Sequence, residues 1–306
     1  MQPMELQVLS ADKIDRKKWD DTIASDPHAS VFVFSWYLDV AAFNWAAIVS
    51  TDYSILLPFA FRKKFGLTYI YQPFFTRNFG LYGNKNHSAS ALTLLGNLST
   101  IYRYWDFSFD HNNIPAIPNL ISTEKKFQVL DLSSGYDEIS KKYSAKLRRS
   151  LRLASAEDVF IEPVIDLARF TSEFKKHTSS RISEFRQEDY DRLQKLLEKC
   201  CEKTETWSYA VKRKNEIISA VFFVKAGQNI IYIEGYSSPA GREMRAMHLL
   251  FDQVIKHYAG QKLHLDFGGS NVPTIAHFFH SFGAVDQTYL NIRLNNLPWP
   301  LRWLKK

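Results

Sequence analysis

Cysteine is scarce in this sequence, and the two present, Cys200 and Cys201, are adjacent. Neighbouring helical residues point to different faces and rarely bridge, so a disulfide framework is excluded, and no C-x-x-C ligand pair exists for a metal. A reducing cytoplasm is the expected compartment. Long apolar runs are missing too. No stretch approaches the roughly 18 apolar residues of a membrane span, and MQPMELQVLSADKID carries charges where a secretory leader needs roughly 7 to 15 apolar residues. The chain is expected neither to leave by that route nor to cross a bilayer. Low-complexity tracts and short-period repeats are also lacking, which argues against a solenoid.

What the chain has is apolar and aromatic mass. Its 306 residues, 45% apolar and 15% aromatic, suffice for about two domains with packed cores. The net charge of +7, from 39 basic and 32 acidic side chains, favours anionic partners. Nucleotides, phosphorylated cofactors, tRNA and anionic lipid all fit that balance.

Periodicity predicts alternating strands and helices. Residues 48–50, 54–62 and 68–72 read as a meander, 87–101 as a helix, and 116–120 and 126–132 as extended segments. Over 135–156 one basic helix is expected, with Ile139, Tyr143, Leu147 and Leu151 on its apolar face and Lys141, Lys142, Lys146, Arg148, Arg149 and Arg152 mainly opposite. One or two helices should fill 166–203. Three strands joined at Lys214-Asn215 and Gly227-Gln228 follow, then a helix over 242–258, a strand into LHLDFGG, an aromatic helix and a last strand over 289–294. This is the pattern of a sheet with helices laid on it, an α/β or α+β fold.

Six stretches in order carry a family likeness. YSAKLRRSLRLA, GREMRAMHLLFDQVIKHYA, and LDFGGS followed by FFHSFGA in the second half, with WYLDV, LLPFAFRKK and QPFFTRNFGLYG in the first, resemble landmarks of the GNAT (acyl-CoA N-acyltransferase) superfamily. The likeness is greatest to the FemAB-like group and the Fem-type peptidoglycan aminoacyltransferases, and spans most of residues 30–293. It implies a tandem pair of GNAT-like domains, each a mixed twisted sheet flanked by helices. The boundary falls between Pro118 and Leu132, giving domains 1–125 and 126–306, the second with the better-preserved motifs.

The resemblance also implies an activity: amide formation between an activated acyl donor and an amine acceptor, in cell-envelope or lipid metabolism. Acyl-CoA, an acyl carrier or aminoacyl-tRNA are the donors it allows. The acceptor is expected to be lipid- or nucleotide-linked. GNAT enzymes rest the donor's diphosphate on the helix start after the fourth strand, here Ser237, Ser238, Gly241 and Arg242, because the first N–H groups of a helix are unpaired and partly positive. Arg245 stands where the broad superfamily has a glycine. Fem-type likeness implies substrate contacts at Trp36, Arg77, Arg181, Arg186 and Ser270.

Deprotonating an ammonium needs a base, and two carboxylates close apolar strands: Glu234 in IYIEGY and Asp266 in LHLDFGG. Asp266 has a second reading, as acceptor for the backbone N–H groups of the Gly268-Gly269-Ser270 turn. Phe279 occupies the place of the family's acid tyrosine, leaving His277, His280 or Tyr289 as candidate acids. Arg148 and Arg149 are candidates for phosphate contact. Trp299, Trp303, Lys305 and Lys306 have the aromatic and basic mixture of a peripheral membrane contact. A catalytically silent GNAT-like fold binding RNA or another anionic ligand is the alternative from a different class.

Overall fold

The computed structural model describes residues 5–27, 29–84, 88–109, 117–155, 159–164, 166–179, 185–268, 272–299 and 301–302. They form two units: 1–125 with 288–306, and 126–287. Residues 288–306, assigned from sequence to the second domain, thus group with the first.

The first unit opens with β1 (Leu6–Ser10), α1 (Arg16–Ser25), α2 (Ser35–Ala41) and β2 (Trp45–Ser50). Asp15 starts α1 by accepting the Lys18 N–H at 3.1 Å. β3 (Ile55–Lys64) turns through Phe65-Gly66, both at positive φ, into β4 (Leu67–Tyr71), and β5 (Tyr82–Gly83), α3 (Ser88–Asn97) and β6 (Tyr104–Phe109) follow. β1 to β4 are antiparallel neighbours, β4 runs parallel to β6, and β6 pairs antiparallel with the last strand of the chain through Leu290↔Phe109 to Asn295↔Tyr104. Ile292 and Leu294 of that strand join Trp19, Leu38, Phe59, Trp105 and Phe107 in one buried cluster.

Where sequence suggested two extended segments at 116–120 and 126–132, the structure has one strand, β7 (Leu120–Asp131), with Asn119 at positive φ just before it. The expected basic helix is also two: α4 (Tyr136–Lys141) and α5 (Ala145–Ser155). Ser144 breaks it, because its hydroxyl accepts the Leu147 N–H at 3.1 Å and caps a new helix. Ile139, Tyr143 and Leu147 are buried as the spacing predicts.

Beyond them come β8 (Phe160–Pro163), α6 (Leu167–Thr178), α7 (Gln187–Lys203), β9 (Thr206–Arg213), β10 (Glu216–Ala226), β11 (Asn229–Ser237), α8 (Pro239–Glu243), α9 (Ala246–Tyr258), β12 (His264–Asp266), α10 (Pro273–His280) and β13 (Val285–Asn295). On α7 Cys200 is buried and Cys201 exposed, and neither is bridged. In the second unit β8, β9, β10 and β11 are antiparallel, β11 is parallel to β12, and β12 is antiparallel to β7. Each unit therefore repeats one plan, an antiparallel run, a parallel strand pair and a closing antiparallel strand. α9 lays Leu250, Phe251 and Val254 on the second sheet against Val221, Phe223, Ile230 and Leu265.

Candidate functional site

The site is built where β11 outlasts its parallel partner. β12 pairs with β11 only from Asn229↔His264 to Ile231↔Asp266, whereas β11 continues to Ser237 along β10. Ladder pairing with β12 ends at Ile231, and Glu234 lies three residues beyond it. A bulge marks the same place. Phe222 pairs with Glu234 but Phe223 with Tyr232, so Ile233 is the extra residue, and Tyr232 and Glu234 face opposite sides of the sheet. Tyr232 packs on Phe251 at 5.1 Å, on the α9 side. Glu234 shares the other face with its partner Phe222 and with Tyr236 two residues on, the face covered by Phe170 of α6.

Glu234 keeps some exposure as a residue, but its carboxyl is enclosed. Burial pushes its pKa from 4.5 up to about 8, opposed only in part by the Gly235 N–H. Tyr232 is driven well above the ordinary phenol value by burial first and by the Glu234 charge second. Tyr236 is raised by burial and then by Glu173, with Arg169 opposing. The His177 ring stacks on Tyr236 with centroids 5.7 Å apart, and its Nε2 is 3.2 Å from the Glu173 carboxylate. Sequence reasoning passed over this Glu173–His177–Tyr236 group. Its signal was the four-residue spacing of Glu173 and His177 on one helix face.

Asp266 takes part in the turn after β12. It is buried, and its Oδ1 accepts the Gly268 N–H at 2.9 Å. Gly268 has φ +75°, and a Cβ there would lie 2.9 Å from the Tyr232 carbonyl oxygen. The carboxylate therefore holds a turn that only glycine fits comfortably. Ser270 and Arg181 lie outside the described residues.

The strand-to-helix turn after β11 is tightly packed. The Ser237 and Ser219 hydroxyls are 2.5 Å apart, the Ser238 hydroxyl accepts the Gly241 N–H at 3.1 Å, and Arg242 donates to the Ser237 carbonyl at 2.6 Å. A Cβ on Gly241 would sit 2.2 Å from the Ile218 carbonyl oxygen, so this glycine lets α8 approach β10. Arg245 adopts φ +57° and opens α9, accepting the His248 N–H at its carbonyl. Burial lowers the His248 pKa, opposed by the hydrogen bond with the Arg245 backbone and aided by the Arg245 and Lys146 charges.

The remaining expectations fall into separate places. Phe279 is buried against Phe267 at 4.9 Å and Phe251 at 5.9 Å, so the position of the family tyrosine is pure core here. His280 pairs with Asp286 at 2.7 Å, and His277 is exposed. Asp286 is held far below the usual carboxylate range by Gln128, Lys126 and His280. Tyr289 belongs to the first unit, whereas Glu234 and Asp266 belong to the second. Arg148 closes the end of α4 by donating to the Tyr143 carbonyl at 2.6 Å, while Arg149 is exposed. The Arg186 N–H donates to Asp189 at the start of α7. In the first unit a chain of ring contacts runs from Trp36 to Arg77: Trp36 packs on Tyr37, Tyr37 on Phe32, and the Arg77 guanidinium lies 5.5 Å from the Phe32 centroid.

Among the described residues no helix is long and apolar enough to cross a membrane, and no three His, Cys, Asp or Glu side chains group as metal ligands. Residues 141–277 match the family model of the GNAT acetyltransferase domain. No curated protein matches the chain. Among solved structures, FemX superposes with a TM-score of 0.67 at 15% identity, covering 99% of this chain and 100% of its own. A tandem GNAT protein of the clavulanic acid biosynthesis pathway gives 0.57 at 11% identity, covering 96% and 99%. L-PGS from Bacillus licheniformis gives 0.54 at 14% identity, covering 95% of each chain. These matches lead to one assignment: residues 141–277 match a GNAT acetyltransferase domain, and the chain as a whole shares the fold of FemX and of the tandem GNAT protein.

Proposed function

We propose that the protein is an acyl- or aminoacyltransferase of cell-envelope or lipid metabolism, joining an activated acyl group to an amine with Glu234 as the base. The observation that carries this is the place of the Glu234 carboxyl on β11, beyond the end of its pairing with β12 and on the face covered by Phe170, where burial raises its pKa to about 8. A carboxylate with that pKa takes a proton from an ammonium far better than an ordinary one. The neutral amine then attacks the acyl carbonyl, and the tetrahedral adduct collapses by breaking the acyl–sulfur or acyl–oxygen bond while its extra N–H proton passes to the departing thiolate or alkoxide. Burial keeps the Tyr236 phenol protonated, so it donates a hydrogen bond on the acceptor side. The turn from Ser237 to Arg242 and the start of α9 at Arg245 are the proposed rest for an anionic donor, acyl-CoA, an acyl carrier or aminoacyl-tRNA. Trp36 and Arg77 are proposed as a substrate contact of the first unit.

The test is a transfer assay read by mass spectrometry. Acetyl-CoA, a long-chain acyl-CoA and aminoacyl-tRNA are offered with glucosamine and a lysine-bearing peptide. Transfer from one donor class, lost in Glu234→Gln, is the expected result. Absence of transfer and of any donor-induced rise in melting temperature overturns the reading in favour of a silent fold that binds RNA or another anion.

A further inference from the structure

We propose that one end of the first unit's sheet docks on an anionic lipid bilayer. Strand register brings the segments together. The β3–β4 hairpin tip, Phe65-Gly66, lies at the start of β4, and β4 runs parallel to β6, so the residues leading into β6, from Ile101 to Arg103, share that end. β6 is antiparallel to β13, so the chain leaving β13 emerges there too: Asn296 N–H donates to the Arg103 carbonyl at 2.7 Å. Asn295 donates to the Arg302 carbonyl at 3.1 Å, which brings Arg302 to the same end. Asn119, just before β7, reaches Asn296 at 3.1 Å.

These segments carry the unit's most exposed large apolar side chains. Phe65 is 91% exposed, Trp299 78%, Ile101 65% and Ile121 62%. Exposed basic residues stand among them, Lys63, Lys64, Arg103 and Arg302. The Lys64 ammonium lies 5.3 Å from the Phe65 ring centroid. Scattered apolar residues on a surface are ordinary, but gathering them with cations at one end of a sheet is not.

Phe65 supplies an independent sign. The hairpin loop has φ +51° at Phe65 and +77° at Gly66, the two-residue type that selects Asn-Gly or Asp-Gly. A bulky aromatic at positive φ is disfavoured there, and this one covers no core. The turn thus pays in stability for a ring held out in solvent. Aromatic tips with flanking lysines suit the headgroup layer, where the ring enters the acyl boundary and the ammonium groups meet anionic phosphates.

Cosedimentation of the full chain with vesicles tests this. Vesicles of phosphatidylcholine alone or mixed with phosphatidylglycerol are compared at low and high salt. Binding to the mixed vesicles that weakens with salt is expected. Lys63→Gln with Lys64→Gln should reduce it by about five-fold per lysine, since each basic group near the surface is worth about 1 kcal/mol. Phe65→Asn should reduce it by about ten-fold or more while keeping or raising the melting temperature, because asparagine suits the turn. Lys195→Gln with Lys203→Gln, exposed on α7, should leave it unchanged. Equal binding by wild type and Phe65→Asn, or no binding to the mixed vesicles, overturns the proposal. So does self-association in sedimentation velocity that Phe65→Asn abolishes, which would make this end an interface between copies. The vesicles contain neither donor nor acceptor, so this outcome is independent of the transfer assay.

Discussion

Replacing Glu234 by glutamine removes an ionisable group from the enclosed face of β11 while keeping its shape, so the variant should become less sensitive to pH. The folded pKa of about 8 exceeds the unfolded 4.5, and between those values the folded chain holds one proton more than the unfolded chain. The stabilisation is complete below 4.5 and is lost as pH rises through about 8. Integrating the two titrations from pH 6 to pH 9 gives a loss of about 2.5 kcal/mol in the wild type that the glutamine variant does not suffer. For a unit of this size that is about 5 to 10 °C in melting temperature. Thermal unfolding of both proteins at the two pH values measures it directly, each protein serving as its own reference. A gap between wild type and Glu234→Gln that is the same at pH 6 and pH 9 would refute an enclosed carboxyl, and with it the reason to make Glu234 the base.

Other substitutions separate packing from chemistry. Gly241→Ala puts a Cβ 2.2 Å from the Ile218 carbonyl oxygen, and should cost about 2 to 4 kcal/mol in a denaturant titration. Asp266→Asn keeps an oxygen for the Gly268 N–H and should leave both turnover and stability near wild type, whereas Asp266→Ala should cost about 1 to 3 kcal/mol. A hundred-fold loss of turnover in a stable Asp266→Asn protein would return that residue to the chemistry. Ser144→Ala should lower stability by about 1 kcal/mol through loss of the α5 cap, measured by urea midpoint.

Much of the second unit could be read from pattern, because the continuous apolar run IISAVFFVKA belongs to a strand buried on both faces, and the spacing of Leu250, Phe251 and Val254 marks one buried helix face. What pattern missed depended on distant partners. The break at Ser144 was present as a capping residue, yet the apolar stripe from Ile139 to Leu147 ran through it and masked it. The return of β13 to the first unit is a topological choice that a strand's own residues do not encode. At the site, both carboxylates lie near the carboxyl ends of apolar strands, and only the third dimension distinguishes them: Asp266 accepts a turn N–H, while Glu234 lies beyond the pairing with β12. The Tyr236–His177 stack joins residues about 60 apart in sequence and was invisible for the same reason.

The most direct test is the pH dependence of transfer by the wild-type chain and by Glu234→Gln, with the donor class that first shows product. The account predicts a wild-type rate that climbs with pH and levels off above about 8, and a variant slower by about a hundred-fold or more whose profile lacks that rise. A Glu234→Gln protein that transfers at the wild-type rate with the same pH profile would contradict it.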